Sequence, residues 1–244
     1  MTAVLAYLAF DDTDTRDSAV GTGRLMRRFC RDLSDEYHLK GVLRHQLPRL
    51  PEIPFTSNNS SACALIEIRA REALNDLAAR ATDFLLAHSV PGSDPGLCAG
   101  LAAEVGDDLV RFGVTATGER MSQADAMKAV NGFVLRGLGG TNDGIIGAAA
   151  AVGLSRYGWC GRFIELGRMR ELRDPLRVAD LQAAGIRVLS VDRDPTVPLP
   201  MDRVITDNWV RPSLWAGEPV LQVMRSEDAW RAAHGRAHHA EPKS

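Results

Sequence analysis

The N-terminal part of the chain alternates short apolar runs with longer amphipathic repeats. Val4–Phe10 is a continuous apolar run that includes aromatic residues, which predicts a buried strand. Similar runs predict strands at Leu39–His45 and Ala62–Ile68. Apolar residues at helical spacing predict helices over Gly23–Tyr37 and Glu72–His88. The resulting element order is β-α-β-β-α.

A turn-rich segment after the second predicted helix marks a domain boundary. Pro91-Gly92 and Ser93-Asp94-Pro95-Gly96 stop that helix. The preceding order, with room for a short final strand, is compatible with a split βαβ, ferredoxin-like unit. We therefore expect an α/β fold of the α+β type, with one domain over residues 1–100 and a second over residues 101–235.

The second half contains one strongly marked helix. Ile145–Leu154 is small and apolar on every side, so it must be buried, and it follows a glycine-rich loop. The tail over residues 236–244 is expected to be disordered. Weaker patterns predict helical turns at Ala99–Val105 and Ser122–Asn131, strands at Phe163–Met169 and Val188–Val191, and helices at Val178–Ala184 and Ser226–Ala233.

Composition places the chain among soluble globular proteins. It has 244 residues, of which 45% are hydrophobic and 25% are charged. No apolar run reaches the ~18–20 residues that cross a bilayer, and Met1–Phe10 lacks the basic start of a signal peptide. We therefore expect a cytoplasmic protein with no membrane partner. The net charge of -2 excludes a basic field over the whole molecule, so strong non-specific attraction to nucleic acid is not expected.

The cysteines and histidines offer no clear site. The 4 cysteines form no C-x-x-C pair and have no histidine at ligand spacing, which favours reduced buried thiols over a zinc finger. His45 and His88 stand alone near predicted element ends, where a structural hydrogen bond is the expected role.

Carboxylates are concentrated at the end of the first predicted strand. Asp11, Asp12 and Asp14 lie within four residues, where hard oxygen ligands could converge on Mg²⁺. Such a site normally uses one or two carboxylates together with substrate phosphates, which suits ATP chemistry. The alternative is that the aspartates cap the following turn.

Two glycine-containing segments precede predicted helices. Thr22 stands between Gly21 and Gly23 and could face a phosphate, although a helix N-cap is the simpler interpretation. The loop Gly139–Gly144 could offer backbone N–H groups to an anion at a helix start, or could allow close helix packing and a tight turn. It lacks the lysine of a P-loop.

Five segments of the chain form a recognisable series. They are Phe10-Asp11-Asp12-Thr13-Asp14 with Thr22 downstream, Arg49–Phe55, Ser93–Gly96, Gly144–Gly153 and, more weakly, Asp207-Asn208 with Gly217–Leu221. In this order they resemble the archaeal agmatidine synthetases, which modify a wobble cytidine in an isoleucine tRNA.

The resemblance implies an N-terminal kinase-like domain that binds Mg²⁺ and ATP through the aspartate cluster, followed by a ferredoxin-like domain. The threonine that the family phosphorylates falls on Thr22. In the family's chemistry ATP activates a pyrimidine carbonyl as a phosphate ester, and the amine agmatine then displaces the phosphate. The candidate catalytic set is Asp11, Asp12, Asp14 and Thr22, and the candidate nucleotide contacts are Thr13, Gly21, Gly23, Gly140, Thr141, Asn142 and Gly144.

The sequence departs from the family in two respects. The family continues into an OB-type domain and a zinc ribbon, both of which grip tRNA, whereas this sequence ends at Ser244 without such cysteines. The family's basic loop is replaced by Thr56–Ser61, and its arginines before the Gly-Ile-Ile-Gly helix by Asn142-Asp143. We therefore expect an ATP-dependent phosphotransferase or C–N ligase that acts on a nucleotide or small molecule, with tRNA disfavoured. The sequence leaves homo-oligomerisation open.

Two other hypotheses remain open. The chain could be a module that binds nucleotide without turning it over, which measurable binding without ATP hydrolysis would indicate. Alternatively, Asp12-Thr13-Asp14-Thr15 matches the D-x-D-x-T start of a haloacid-dehalogenase-type phosphatase, with Gly106-Asp107-Asp108 as its later acidic motif. That chemistry needs a lysine between the two motifs, and only Lys40 is available, so this hypothesis ranks last.

Overall fold

The computed structural model describes residues 3–53, 58–193 and 196–233. The chain divides into two compact units, the first formed by Met1–Gly167 with Leu214–Gly217 and the second by Arg168–Ser213 with Glu218–Ser244. The sequence places a boundary near residue 100, whereas this division follows Gly167. The expected tail over residues 236–244 lies outside the described residues.

The strands and helices confirm the mixed α/β class. The helices are α1 Thr22–Arg31, α2 Ala73–His88, α3 Asp107–Thr115, α4 Gln123–Ala129, α5 Gly144–Tyr157 and α6 Val178–Ala183. The strands are β1 Val4–Asp11, β2 His38–Gln46, β3 Ser60–Ile68, β4 Gly96–Leu101, β5 Val134–Gly137, β6 Arg162–Glu165, β7 Leu176–Arg177, β8 Arg187–Ser190, β9 Arg203–Ile205, β10 Ser213–Trp215, β11 Glu218–Ser226 and β12 Ala229–Ala232.

The sheet of the first unit has the order β5-β4-β1-β3-β2-β6, and its neighbouring strands are antiparallel. The inner four strands, β4-β1-β3-β2, together with α1 and α2 have the arrangement of a split βαβ, ferredoxin-like sheet, as the N-terminal pattern predicts. The strand β5 then adds to the β4 edge. The strand β6 adds to the β2 edge, so the first unit extends past residue 100 to include both edge strands.

Helices cover both faces of this sheet. Alternate residues of β1 point to opposite faces: Leu8 and Phe10 pack in the core that includes α1 and α2, whereas Tyr7 and Ala9 pack in the core that includes α3, α4 and α5. Because both faces are covered, β1 is buried from Ala6 to Asp11, and its sequence is a continuous apolar run up to Phe10.

Helix α5 confirms the prediction of a buried alanine-rich helix. Ala148–Val152 are fully buried, and the absence of large side chains lets α3 approach closely. A Cβ atom added at Gly153 would lie 2.1 Å from the carbonyl oxygen of Leu109 in α3. The small residues of α5 therefore set the distance between the two helices.

The second unit contains the strand order β8-β11-β12-β9-β7. β8 runs parallel to β11 and β9 runs parallel to β12, while β11 and β12 form an antiparallel pair. The ferredoxin-like domain that the family resemblance implies for residues 101–235 covers parts of both units and stays a prediction.

The predicted terminal helix at Ser226–Ala233 is wrong, because this segment forms the turn and second strand of the β11–β12 hairpin. Glu227 at the turn has a φ of 48°, which breaks any helix. Trp230 is fully buried and its indole Nε1 donates a hydrogen bond to Asp202 Oδ2 at 2.9 Å. Burial of this one aromatic side chain outweighs the weak helical spacing around it.

Smaller differences concern the ends of other elements. Helix α1 ends at Arg31, six residues before the predicted end at Tyr37, and the N–H of Asp32 makes the last bonds back to the carbonyls of Arg28 and Phe29. No sequence pattern predicted α3 or β5. No helix within the described residues is long and apolar enough to cross a membrane.

Candidate functional site

A cavity of about 620 Å³ lies in the first unit, at the carboxyl end of β1. Asp11, Asp12, Asp14 and Thr22 all line it, so the structure brings the predicted catalytic set together. Thr141 is the one predicted nucleotide contact among the described lining residues. The others, Thr13, Gly21, Gly23, Gly140, Asn142 and Gly144, are not among those lining residues.

Asp11 is held in a tight space between β1 and α5. It is 9% exposed, and burial raises its pKa to about 8, with the neighbouring charge of Asp12 adding to the effect. A Cβ atom added at Gly147 of α5 would lie 1.7 Å from Asp11 Oδ2. Only glycine at position 147 therefore leaves room for this carboxyl group, which carries a proton at neutral pH.

Asp12 turns the chain out of the strand. Its φ of 50° lies in the left-handed region, which aspartate tolerates better than most residues. Burial raises the pKa of Asp12 to about 6, and the charges of Asp94, Asp14 and Asp143 contribute to the rise. The site therefore concentrates negative charge that a bound cation would relieve.

Thr22 is the first residue of α1 and is buried. The N-cap position belongs to Gly21, and no side chain caps the helix, so the interpretation of Thr22 as an N-cap is wrong. Its hydroxyl instead donates a hydrogen bond to Asp14 Oδ1 at 3.2 Å and accepts one from Thr13 Oγ1 at 3.0 Å. Thr13 thus fixes the position of the Thr22 hydroxyl next to Asp14.

The glycine-rich loop packs against Asp94. A Cβ atom at Gly140 would lie 1.4 Å from Asp94 Oδ1, and one at Gly144 would lie 2.2 Å from the Asp94 carbonyl oxygen. The Thr141 hydroxyl donates a hydrogen bond to Asp94 Oδ2. Close packing, rather than an open anion site, is therefore the observed role of these two glycines. The side chain of Asn142 lies close to Gly137, where an added Cβ atom would be 2.4 Å from Asn142 Oδ1.

The start of α4 and the residues just before it also line the cavity, and no candidate site residue was predicted there. Gln123, the first residue of α4, donates from Nε2 to the carbonyl oxygen of Thr141 at 2.7 Å and to Asp143 Oδ1 at 2.6 Å. Arg120 is one of these lining residues. The capping-box pattern Ser122-Gln123-Ala124-Asp125 marks a helix start in this segment but gives no sign of a ligand site. Asp94 was visible in Ser93-Asp94-Pro95-Gly96, which was interpreted as a turn and as part of the family resemblance, and no site role was assigned to it.

The carboxylates provide hard oxygen donors but do not form a complete ligand set. Within the described ranges, no group of three or more His, Cys, Asp or Glu side chains is arranged to hold a metal ion. A site of one or two carboxylates that completes its shell with water and phosphate oxygens fits this arrangement, and that is the usual manner in which proteins bind Mg²⁺.

Comparison with known proteins gives a likeness of fold. No family model and no curated protein matches the chain. Apo TiaS, an isoleucine tRNA agmatidine synthetase, aligns with a TM-score of 0.50 and 20% identity over 61% of this chain and 35% of that one. The fold resembles that of TiaS. A complex of TiaS with its tRNA, AMPCPP and agmatine gives a TM-score of 0.50, 19% identity and coverages of 61% and 36%.

A further neighbour is described as a tRNA fluorescent labeling enzyme, with a TM-score of 0.50, 21% identity and coverages of 61% and 36%. This chain thus spans about a third of the length of its TiaS-fold neighbours. Identity of about 20% shows the shared fold and no more.

Three of the segments that carry the TiaS resemblance meet at the cavity. Phe10–Asp14 ends β1, Ser93–Gly96 begins β4, and Gly144–Gly153 forms α5. Asp11 pairs in register with Gly96, and the N–H of Gly144 donates to the Asp94 carbonyl at 3.2 Å. From Arg49–Phe55, Ile53 lines the cavity, while Pro54 and Phe55 lie outside the described residues.

The phosphatase hypothesis lacks its lysine. Lys40 forms an ion pair with Glu67 at 3.3 Å and does not line the cavity. Asp107 and Asp108 are exposed in the first turn of α3, away from the described lining residues. The D-x-D-x-T pattern is therefore a coincidence of spacing.

Proposed function

We propose that this chain is a Mg²⁺–ATP-dependent enzyme that activates an acceptor by phosphoryl transfer, as a phosphotransferase or a C–N ligase. The observation that carries the proposal is the meeting of Asp12, Asp14 and the Thr22 hydroxyl in one cavity. A volume of about 620 Å³ is suitable for a nucleotide, since ligand pockets usually measure about 300–1,000 Å³. The TiaS fold, which has been solved with the ATP analogue AMPCPP and agmatine bound, supports the same class of reaction.

Each residue has a role that follows from its position. Asp12 and Asp14 would hold Mg²⁺, which neutralises phosphate charge when it is bound. Asp14 accepts the hydrogen bond of the Thr22 hydroxyl. If Thr22 Oγ forms a bond to the γ-phosphorus, the bond to ADP breaks and Asp14 takes the hydroxyl proton.

The charges around the cavity favour a small acceptor over a whole tRNA. Asp94, Asp143, Asp125 and Glu119 add to the aspartates at the end of β1, and the described lining is strongly acidic. Phosphate neutralisation by basic side chains supplies most non-specific binding of nucleic acid. A lining of this charge would repel a long polyanion, whereas a small acceptor can enter together with metal-bound nucleotide.

Turnover by the purified chain tests the proposal. We expect Mg²⁺-dependent release of ADP in the presence of candidate small acceptors, and Asp12→Asn should lower it roughly 100-fold because an amide is a poorer ligand for a hard cation. Asp83→Asn, on the exposed face of α2, is the matched control and should behave like the unmodified chain. Equal turnover in a well-folded Asp12→Asn variant would contradict the metal role.

Two further measurements separate the alternatives. Intact-mass and peptide spectra after incubation with ATP and Mg²⁺ should show phosphate on Thr22, and its absence alongside robust turnover would reduce Thr22 to a structural residue. Nucleotide binding without any turnover would instead identify a non-catalytic binding module. A salt-resistant tRNA complex in a gel-shift titration would overturn the preference for a small acceptor.

A further inference from the structure

The cavity that we propose for a nucleotide is lined by many acidic side chains and few basic ones. Its described lining carries carboxylates on several elements, whereas Arg120 is the one basic residue among them. A nucleotide polyphosphate entering this space meets carboxylates on most sides. A basic side chain in the lining would therefore offset the repulsion between the bound phosphates and these carboxylates.

The side chain of Arg120 has no polar partner among the described residues. Within the part of the chain that the structure describes, its side chain takes part in no hydrogen bond and no ion pair, although Glu119 and Asp125 are close in sequence. Asp125 instead accepts hydrogen bonds from the N–H and the hydroxyl of Ser122. The guanidinium of Arg120 is therefore available to an anion that enters the cavity.

The backbone that carries Arg120 is fixed on both sides. The N–H of Glu119 bonds to the Thr115 carbonyl at 3.0 Å, and Ser122 closes a capping box at the start of α4. Gln123 then ties this start to the glycine-rich loop through Thr141 and Asp143. The Arg120 side chain makes no described contact, whereas the backbone on both sides of Arg120 is held by hydrogen bonds.

We propose that Arg120 is a phosphate-binding residue of this cavity, which contacts the polyphosphate of the bound nucleotide. The inference rests on the proposed function, since that function supplies the nucleotide. Arginine suits the role because its planar guanidinium can bond two phosphate oxygens at once, whereas a lysine acts as a single point charge. Arg120 binds and orients the phosphate in the cavity that the carboxylates at the end of β1 also line.

Binding measurements on Arg120 variants test this assignment. The Kd values for Mg²⁺–ATP and for inorganic tripolyphosphate with Mg²⁺ are measured by calorimetry at low and at physiological salt. Arg120→Gln should weaken both roughly ten- to a hundred-fold and reduce the dependence on salt, and Arg120→Lys should recover part of the affinity. Arg111→Gln is the matched control, because Arg111 pairs with Asp108 and does not line the cavity.

The outcomes distinguish this inference from the proposed function. Normal ATP and tripolyphosphate affinity in Arg120→Gln overturns the role of Arg120 and leaves the proposed function standing. Tripolyphosphate binding that depends on Arg120, in a chain that never turns ATP over with any acceptor, supports Arg120 and overturns the enzyme. A chain that binds neither probe overturns both. Because Arg120 is exposed and makes no described contact, its variants should unfold at the same temperature as the unmodified chain.

Discussion

Replacing Asp11 by asparagine keeps the shape of the side chain and removes its ability to ionise. In the folded chain, burial raises the pKa of Asp11 to about 8, so the carboxyl group is protonated at pH 7 when no cation is bound. In the unfolded chain the same group has the ordinary value of 3.8 and is ionised. Folding at pH 7 must therefore take up a proton at this position.

The magnitude follows from the interval between the two pKa values. A raised pKa means that the stability contributed by Asp11 is fully present below about pH 3.8 and is lost as the pH rises towards 8. Each pH unit in this interval changes the free energy of unfolding by about 1.4 kcal/mol. At pH 7 the loss amounts to about 4 kcal/mol, and an asparagine avoids it.

Urea unfolding in EDTA at pH 5, 6, 7 and 8 measures this effect. We expect Asp11→Asn to be more stable than the unmodified chain at pH 7, by up to about 4 kcal/mol, and the difference to shrink on acidification. Asp83→Asn serves as the control for a surface carboxylate. Parallel pH profiles for Asp11→Asn and the unmodified chain, or a variant destabilised at every pH, would refute the assignment of a protonated Asp11.

Two more predictions concern buried and bridging side chains. Burial lowers the pKa of His45 from 6.5 to about 3, so its contribution to stability is present above about pH 6.5 and is lost as the pH falls towards 3. Between pH 7 and pH 5, the free energy of unfolding measured with urea should fall by about 2 kcal/mol less in His45→Gln than in the unmodified chain. An equal fall in the two proteins would contradict the burial argument. Thr141→Val removes the hydrogen bond to Asp94 and should lower turnover roughly tenfold, while Thr141→Ser should retain it. Equal rates in the two Thr141 variants would show that Asp94 needs no support from the loop.

The parts of the fold that the sequence predicted are those with strong local patterns. β1 and α5 are covered by other elements, so each is a nearly continuous run of apolar residues. Such a run can be recognised from the local sequence alone. The helix predicted for Ser226–Ala233 is wrong because this segment has no strong local pattern. Its spacing is ambiguous over eight residues, and what decides its structure is the pocket that receives Trp230, which includes Asp202.

The candidate site divides in the same way. Asp11, Asp12, Asp14 and Thr22 are close in the chain, so their proximity could be inferred from one strand end and one helix start. Asp94 and Thr141 are 47 residues apart and meet because β4 pairs with β5, which places the loop after Gly137 beside the residues before Gly96. No local sequence pattern predicts a long-range contact of this kind, although the Ser93–Gly96 motif that contains Asp94 can be recognised in the sequence.

The structure also explains why the glycine-rich loop was ambiguous in sequence. Glycines that bind phosphate and glycines that permit close packing occur in the same contexts, since both need a backbone without a Cβ atom. Here the added Cβ atoms at Gly140 and Gly144 would strike Asp94. The loop therefore serves the site indirectly: its glycines let Asp94 approach, Thr141 bonds the Asp94 carboxylate, and the charge of Asp94 bears on Asp12. For the nucleotide phosphates that we propose to bind here, the contacts are then expected from side chains and bound cations, and Arg120 is the one basic side chain among the described residues that line the cavity.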